Sequence, residues 1–243
     1  MISLSEVKIK SARKNAEKNN RLHFFASKFS IYFSWIFINL RMSPNQVTGV
    51  FFIVGLIGSM AFLSYDFSYV LIGYILWRLH IIIDLCDGDV ARFTKKFSIN
   101  GSYWDYMVHS VLYPIYFITI SISLWSKFDD VKFLFLGLFG SVIVSQLLSV
   151  KNNYYRAMLF NGEALDLTKS ENKQEGMKFL VMNTALAILS FEGFLLAYVA
   201  AIFIGLSKEV FLALFVFYMF FFLMNVLAKF YLFSKKGFYS RRS

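Results

Sequence analysis

The sequence predicts an all-α integral membrane protein with six transmembrane helices, preceded by an N-terminal amphipathic helix in the interface. Three observations predict it. Of 243 residues, 58% are hydrophobic and 20% aromatic, thirty of them Phe, and the mean hydropathy is +0.57. No soluble domain of this size needs so much apolar surface. The apolar residues fall in long stretches, and a helical crossing of the hydrocarbon needs about 20 residues. Lys and Arg gather at alternate ends of those stretches, as the positive-inside rule requires.

Residues 1–43 read as a cytoplasmic segment. Residues 1–21 are basic, with Lys8, Lys10, Arg13, Lys14, Lys18 and Arg21. They lack the apolar core and small-residue cleavage site of a secretory signal, and fit a solvated helix or tail on an anionic leaflet. Over 22–40 the polar residues Asn20, His23, Ser27, Ser30, Ser34 and Arg41 recur at three-, four- and seven-residue steps. That is a polar stripe on a helix, read here as an interfacial amphipathic helix. A true first span is the alternative.

Residues 44–243 hold the six spans. The first covers 44–64 and opens on Ser43-Pro44, the N-cap and first position of a helix. The second covers 68–92; His80, one turn before Asp84, reads as a polar filler, with a role beside the acids as the alternative. The third covers 101–124 and contains Pro114, a candidate kink. The fourth covers 133–158. Its second half carries Ser145, Gln146, Ser149, Asn152, Asn153 and Arg156 near helical spacing, beside Lys151. Lys151, Asn152 and Arg156 are candidate acceptor-binding residues, or simply an interfacial helix end. Residues 161–177 form a polar loop, and the last spans cover 178–204 and 208–233.

Charge placement orients these spans. One side gathers eight Lys/Arg before Pro44, then Arg92, Lys95 and Lys96, five from Lys151 to Lys178, and five from Lys229 onward. The other side has Lys127, Lys132 and Lys208. The first side is therefore expected in the cytoplasm, at the inner membrane if the source is bacterial. The net charge of +10 is thereby accounted for by the lipid bilayer, with no nucleic acid among the partners. The single Cys86 excludes an intramolecular disulfide and reads as a small apolar filler, with a reactive thiol as the alternative.

The informative stretch joins spans two and three. It reads D-L-C-D-G-D-V-A-R over 84–92, then eight residues, then G-S-Y-W-D-Y-M-V-H over 101–109. Acids are rare in spans because an unpaired ion in hydrocarbon costs several kcal/mol. Asp84 and Asp87 are three apart on one helix face, and Asp105 and His109 four apart on the next. Two antiparallel helices can thus present three carboxylates and an imidazole to one pocket. Such oxygen-rich clusters suit Mg²⁺ or Mn²⁺. Gly88 and Ala91 admit a ligand close to the backbone, and Arg92 offers a phosphate fork.

These residues resemble the CDP-alcohol phosphotransferases, whose motif is D-x2-D-G-x2-A-R-x8-G-x3-D-x3-D. The match holds at Asp84, Asp87, Gly88, Ala91, Arg92, Gly101 and Asp105, with the eight-residue gap kept. It departs at the last position, where the family has Asp and this chain has His109. The run S-P-N-Q-V-T over 43–48 is similar to the T-P-N-x-x-T that opens the family's first span.

The resemblance implies a six-span catalytic domain that moves a substituted phosphate from a CDP-linked donor to an alcohol acceptor, releasing CMP. It implies a two-metal site with Asp84, Asp87 and Asp105 as ligands, and places Gly88, Ala91, Arg92 and Gly101 around the cytidine diphosphate. It also implies that Asn45 and Thr48 border that nucleotide pocket, with ordinary capping as the alternative, and that the protein is a homodimer. His109 takes the position associated with metal binding and with deprotonating the acceptor. Read as catalytic with Asp105, it keeps the base role, since imidazole titrates at ~6.5; as a ligand it suits Mn²⁺ better than Mg²⁺. The alternative is a different acceptor, or a nucleotide-binding homologue of low turnover. CDP-diacylglycerol is the expected donor, in phospholipid synthesis. A small CDP-alcohol with a lipid or glycan acceptor is the second reading, and a transporter with a cytoplasmic cation site the third.

Overall fold

A computed structural model of the chain describes residues 2–11, 21–160 and 187–239. The elements are α1 (Leu4–Lys10), α2 (Arg21–Asn39), α3 (Pro44–Ala61), α4 (Phe67–Thr94), α5 (Ile99–Phe128), α6 (Lys132–Phe160), α7 (Phe191–Ile204) and α8 (Lys208–Tyr239). There is no strand among the described residues. Among the described residues, five helices are long and apolar enough to cross a membrane: α3, α4, α5, α6 and Lys208–Lys235 of α8. The remaining apolar helix, α7, has 14 residues, fewer than a ~20-residue crossing. The expected span at 178–204 begins among residues outside those described, as does the polar loop at 161–177. The chain divides into two compact units, Met1–Leu112 and Tyr113–Ser243.

In the first unit, α3 starts on a capping box. Ser43 Oγ accepts from the Gln46 N–H and Gln46 Oε1 accepts from the Ser43 N–H, with Pro44 next in line. These bonds occupy orphan N–H groups that helix starts leave. Asp66 caps α4 through the Ser68 N–H. At its other end Lys95 turns left-handed (φ 55°), and the Lys95 and Lys96 N–H groups close on the Ala91 carbonyl. The long α4 thus carries its acids to a defined stop just past Arg92.

α3 and α4 approach closely because both carry glycine. A Cβ on Gly73 would stand 2.8 Å from Phe62 Cε2 and 2.9 Å from the Gly58 carbonyl oxygen. Small residues at such contacts let helix backbones meet where lipid supplies no hydrophobic drive. Gly73→Val is expected to destabilise the protein by about 1–3 kcal/mol through overpacking, read as a lower melting temperature in detergent. An unchanged midpoint would mean that α4 shifts freely along α3.

The polar stripe of α2 does not face water over its described part. Ser30 and Ser34 are buried, whereas Phe29, Tyr32 and Ile36 are exposed. Both hydroxyls donate to Asp89 on α4. The reason is physical: a buried carboxylate needs donors, and these serines are the near ones. Residues 2–11 lie against the same pair of helices. The Trp35 indole donates to the Ile2 carbonyl, Asn39 Oδ1 accepts from the Ile2 N–H, and Val7 is fully buried.

The second unit has an aromatic core. Phe117 stacks on Phe194 with ring centroids 4.7 Å apart, and Phe215 and Phe222 meet Phe117 edge-on. Gly140 leaves room for the Phe117 ring, which a Cβ would meet at 2.8 Å. α5 runs through Pro114 as one helix. At the turn into α6, Asp130 binds Lys208 Nζ at 2.6 Å; that hydrogen bond holds the carboxyl below its usual range.

Candidate metal centre

All residues of the centre lie in the first unit. α4 brings Asp84 to the first turn of its motif segment, and α5 brings Asp105 and His109. His109 Nε2 stands 3.3 Å from Asp84 Oδ1 and 3.3 Å from Asp105 Oδ1. One ligand atom from each of the three residues lies within 4.8 Å of the others. Two carboxylates held this close repel unless a cation or a proton stands between them. Asp105 Oδ1 is buried without a hydrogen bond of good geometry among the described residues. Two carboxylate oxygens and one imidazole nitrogen fit a divalent cation of the Mn²⁺ type.

His109 is fixed by its surroundings. Its ring stacks on Phe51 at 6.0 Å and meets His80 edge-on at 5.7 Å. His80 is fully buried, with Nδ1 2.8 Å from the Phe51 carbonyl oxygen. That carbonyl can only accept, so Nδ1 carries the proton. Its Nε2 has no hydrogen-bond partner among the described residues. Gly55 makes room for this arrangement, since a Cβ there would lie 2.8 Å from His80 Nδ1. His80 is thus part of the packing behind the centre.

Asp87 is not in the three-residue cluster. Its Oδ2 accepts from Thr48 Oγ1 at 3.0 Å, linking α4 to the first turns of α3. Asn45 Oδ1 lies 3.2 Å from where a Gly101 Cβ would be, so the missing side chain lets α3 and α5 meet. The Gly101 N–H donates to Ser98 Oγ, which caps the start of α5. Gly88 has a similar task toward Arg92, whose Nη1 lies 3.3 Å from the position of a Gly88 Cβ. Ala91 is half-buried and its carbonyl closes α4. Thr48 thus pairs with Asp87, Asn45 with Gly101, and Gly88 with Arg92.

Among the candidate acceptor residues, Asn152 and Arg156 are exposed on the last turns of α6, in the second unit. The Lys151 side chain lies outside the described atoms. Ser145 and Ser149 bond back to carbonyls of their own helix, Ser141 and Ser145, both at 2.8 Å, so part of the α6 stripe is satisfied locally.

The spacing of the motif did not single out Asp89, Ser30, Ser34 or Ser11. Asp89 is 3% exposed and bound to Arg92. The available signal was a third acid five residues after Asp84, hence on another face of α4, which had to find donors elsewhere.

Fold and site together define a helical protein with, among the described residues, five candidate membrane spans and a candidate cation centre built from two of them. No family model matches the chain. It is similar to a protein of Archaeoglobus fulgidus described as a bifunctional IPC transferase and DIPP synthase, with 28% identity over 155 residues. The aligned part covers 64% of this chain and 30% of that relative's length. The relative is thus a distant one, and a transferase by its description.

Proposed function

We propose that this chain is a multi-pass membrane phosphotransferase that moves a substituted phosphate from a CDP-linked donor, CDP-diacylglycerol, to an alcohol, with release of CMP. One observation carries the reading. Two of the motif acids and His109 converge through helices α4 and α5, with donor atoms of Asp84, Asp105 and His109 within 4.8 Å of one another. The motif's own spacing and the likeness to a described transferase support it further.

Asp84, Asp105 and His109 would hold Mg²⁺ or Mn²⁺, with Asp87 as a further ligand in a two-metal form. A cation bound there supplies Lewis-acid neutralisation of the phosphoryl and leaving oxygens. The chain's own residues bind and orient. Asn45, Thr48, Gly88, Ala91, Arg92 and Gly101 border the nucleotide, and Arg92 grips phosphate oxygens as a fork. Asp105 is the most open of the three ligating side chains, at 35%. With its Oδ1 buried, it offers Oδ2 to take the acceptor's proton. His109 turns Nε2 to the carboxylates, which supports a ligand role for it. The acceptor is assigned to the polar end of α6, with Lys151, Asn152 and Arg156. The protein acts as a homodimer with six spans, 178–204 being the fifth.

The test is CMP release by the purified protein in detergent, with Mg²⁺ or Mn²⁺, across CDP-linked donors and candidate alcohols. Release that requires metal, one donor–acceptor pair and Asp105 is the expected result. A small CDP-alcohol as the only productive donor would turn the assignment to the second reading. Cation flux without CMP release from any pair would overturn it.

The motif side is assigned to the cytoplasm. The only natural cysteine, Cys86, is buried, so introduced thiols report cleanly. Lys95→Cys is expected to react with a membrane-impermeant maleimide only when the cytoplasmic face is open, and Lys127→Cys from the opposite face. The reverse pattern would invert the topology.

A further inference from the structure

Asp89 is an acid that the reaction proposed above does not use, yet it lies in a built network of donors. It is 3% exposed. Its Oδ2 accepts from Ser34 Oγ at 3.0 Å and Ser30 Oγ at 3.3 Å, both on α2. Its Oδ1 accepts from Arg92 Nη2 at 2.5 Å. The Ser11 hydroxyl donates to the Asp89 carbonyl at 3.1 Å, and the Ser11 carbonyl accepts from Arg92 Nε at 3.1 Å. Three segments far apart in sequence thus meet on one carboxylate and one guanidinium.

The arrangement fixes Arg92 in orientation. Two of its edges are taken, Nε by Ser11 and Nη2 by Asp89. Its plane rests against the bare backbone of Gly88, where a Cβ would be 3.3 Å from Nη1 and 3.5 Å from Nη2. Guanidinium carries five donors, so among the described residues the Nη1 edge keeps its N–H groups for another ligand, and the side chain is 31% exposed. A free Arg side chain loses rotamer entropy when it is immobilised. Holding it beforehand removes that loss from ligand binding. A purely structural tie would not need the open edge, nor a glycine beneath it.

We propose that Asp89 is a positioning residue. Together with Ser30 and Ser34 of α2 and with Ser11, it holds the Arg92 guanidinium so that the Nη1 edge takes a phosphate oxygen of the donor's diphosphate. The inference rests on the reading of the site as a CDP-donor site. It deepens that reading by assigning α2 and residues 2–11 to donor recognition.

The experiment is equilibrium binding of CDP with Mn²⁺ to the full-length protein in detergent, with melting temperature as the folding control. Asp89→Ala and Arg92→Ala are each expected to weaken CDP binding at least tenfold, the range of one charge-assisted hydrogen bond. The double variant is expected to bind no more weakly than Arg92→Ala alone, because Asp89 acts on the ligand through Arg92. Asp89→Asn, which keeps shape and one acceptor, and Ser30→Ala with Ser34→Ala are expected to fall between. These two carry the test if Asp89→Ala does not fold. Losses that multiply in the double variant, or wild-type affinity in folded Asp89→Asn, would overturn the inference and leave the site reading intact. Wild-type protein that binds no CDP would overturn the site reading and the inference with it.

Discussion

Alanine at Asp84 or at Asp105 is expected to lower CMP release by on the order of 10³-fold while leaving the helices folded. The magnitude is that of removing an electrostatic stabiliser of a phosphoryl transfer, where positioning and charge neutralisation do most of the catalysis. The geometry makes the two positions equivalent in kind. Each contributes one oxygen 3.3 Å from the same imidazole nitrogen, so either loss leaves a two-ligand site. Stability separates this from a folding defect. Without metal, each substitution relieves repulsion between neighbouring carboxylates, so the melting temperature should hold or rise. Adding Mn²⁺ should raise the melting temperature of the wild type, because a ligand that binds only the folded state stabilises it. In Asp84→Ala and Asp105→Ala that rise should vanish. A retained Mn²⁺-dependent rise in both variants would place the cation elsewhere.

The parts of this site that lie on one helix are legible in the amino-acid sequence, and the parts that depend on a partner helix are not. Spacing alone puts Asp105 and His109 on one face of α5, and that is how they meet Asp84. The start of α3 is legible for the same reason, since Ser43, Pro44 and Gln46 act within one turn. Asp84 and Asp87 also share a face of α4, three residues apart. Yet Asp84 faces α5 and Asp87 faces Thr48 of α3. Which neighbour each acid finds depends on how α3, α4 and α5 pack, and that packing hangs on contacts such as Gly55 against His80 and Leu112. The stripe of α2 shows the same limit. Its periodicity is plain, but periodicity by itself points to the commonest case, a polar face in water. The buried Asp89, 55 and 59 residues away in sequence, reverses that meaning for Ser34 and Ser30.

On the proposed reading, His109→Asp is expected to change the metal preference of CMP release. Imidazole suits Mn²⁺ and Zn²⁺, whereas Mg²⁺ prefers oxygen ligands. The wild type should therefore saturate with Mn²⁺ at lower concentration than with Mg²⁺. Aspartate at 109 supplies a third carboxylate, as the resembling family has it, and should lower the half-saturating Mg²⁺ concentration at least tenfold, a conventional range for perturbing a metal's surroundings. His109→Ala discriminates the two roles open to this side chain. Its Nε2 points at both carboxylates, and its Nδ1 is buried against the packing of Phe51 and His80. A ring nitrogen so enclosed is poorly placed to take a proton from an incoming alcohol. As a ligand, His109→Ala should lose turnover mainly through weakened metal binding, and saturating Mn²⁺ should restore much of it. As a base, it should lose turnover that no metal concentration restores, and the acidic limb of its pH–rate profile should disappear. Recovery with Mn²⁺ and an unchanged pH profile would make Asp105 the residue that receives the proton. An unaltered Mg²⁺-to-Mn²⁺ preference in His109→Asp would remove His109 from the metal centre altogether.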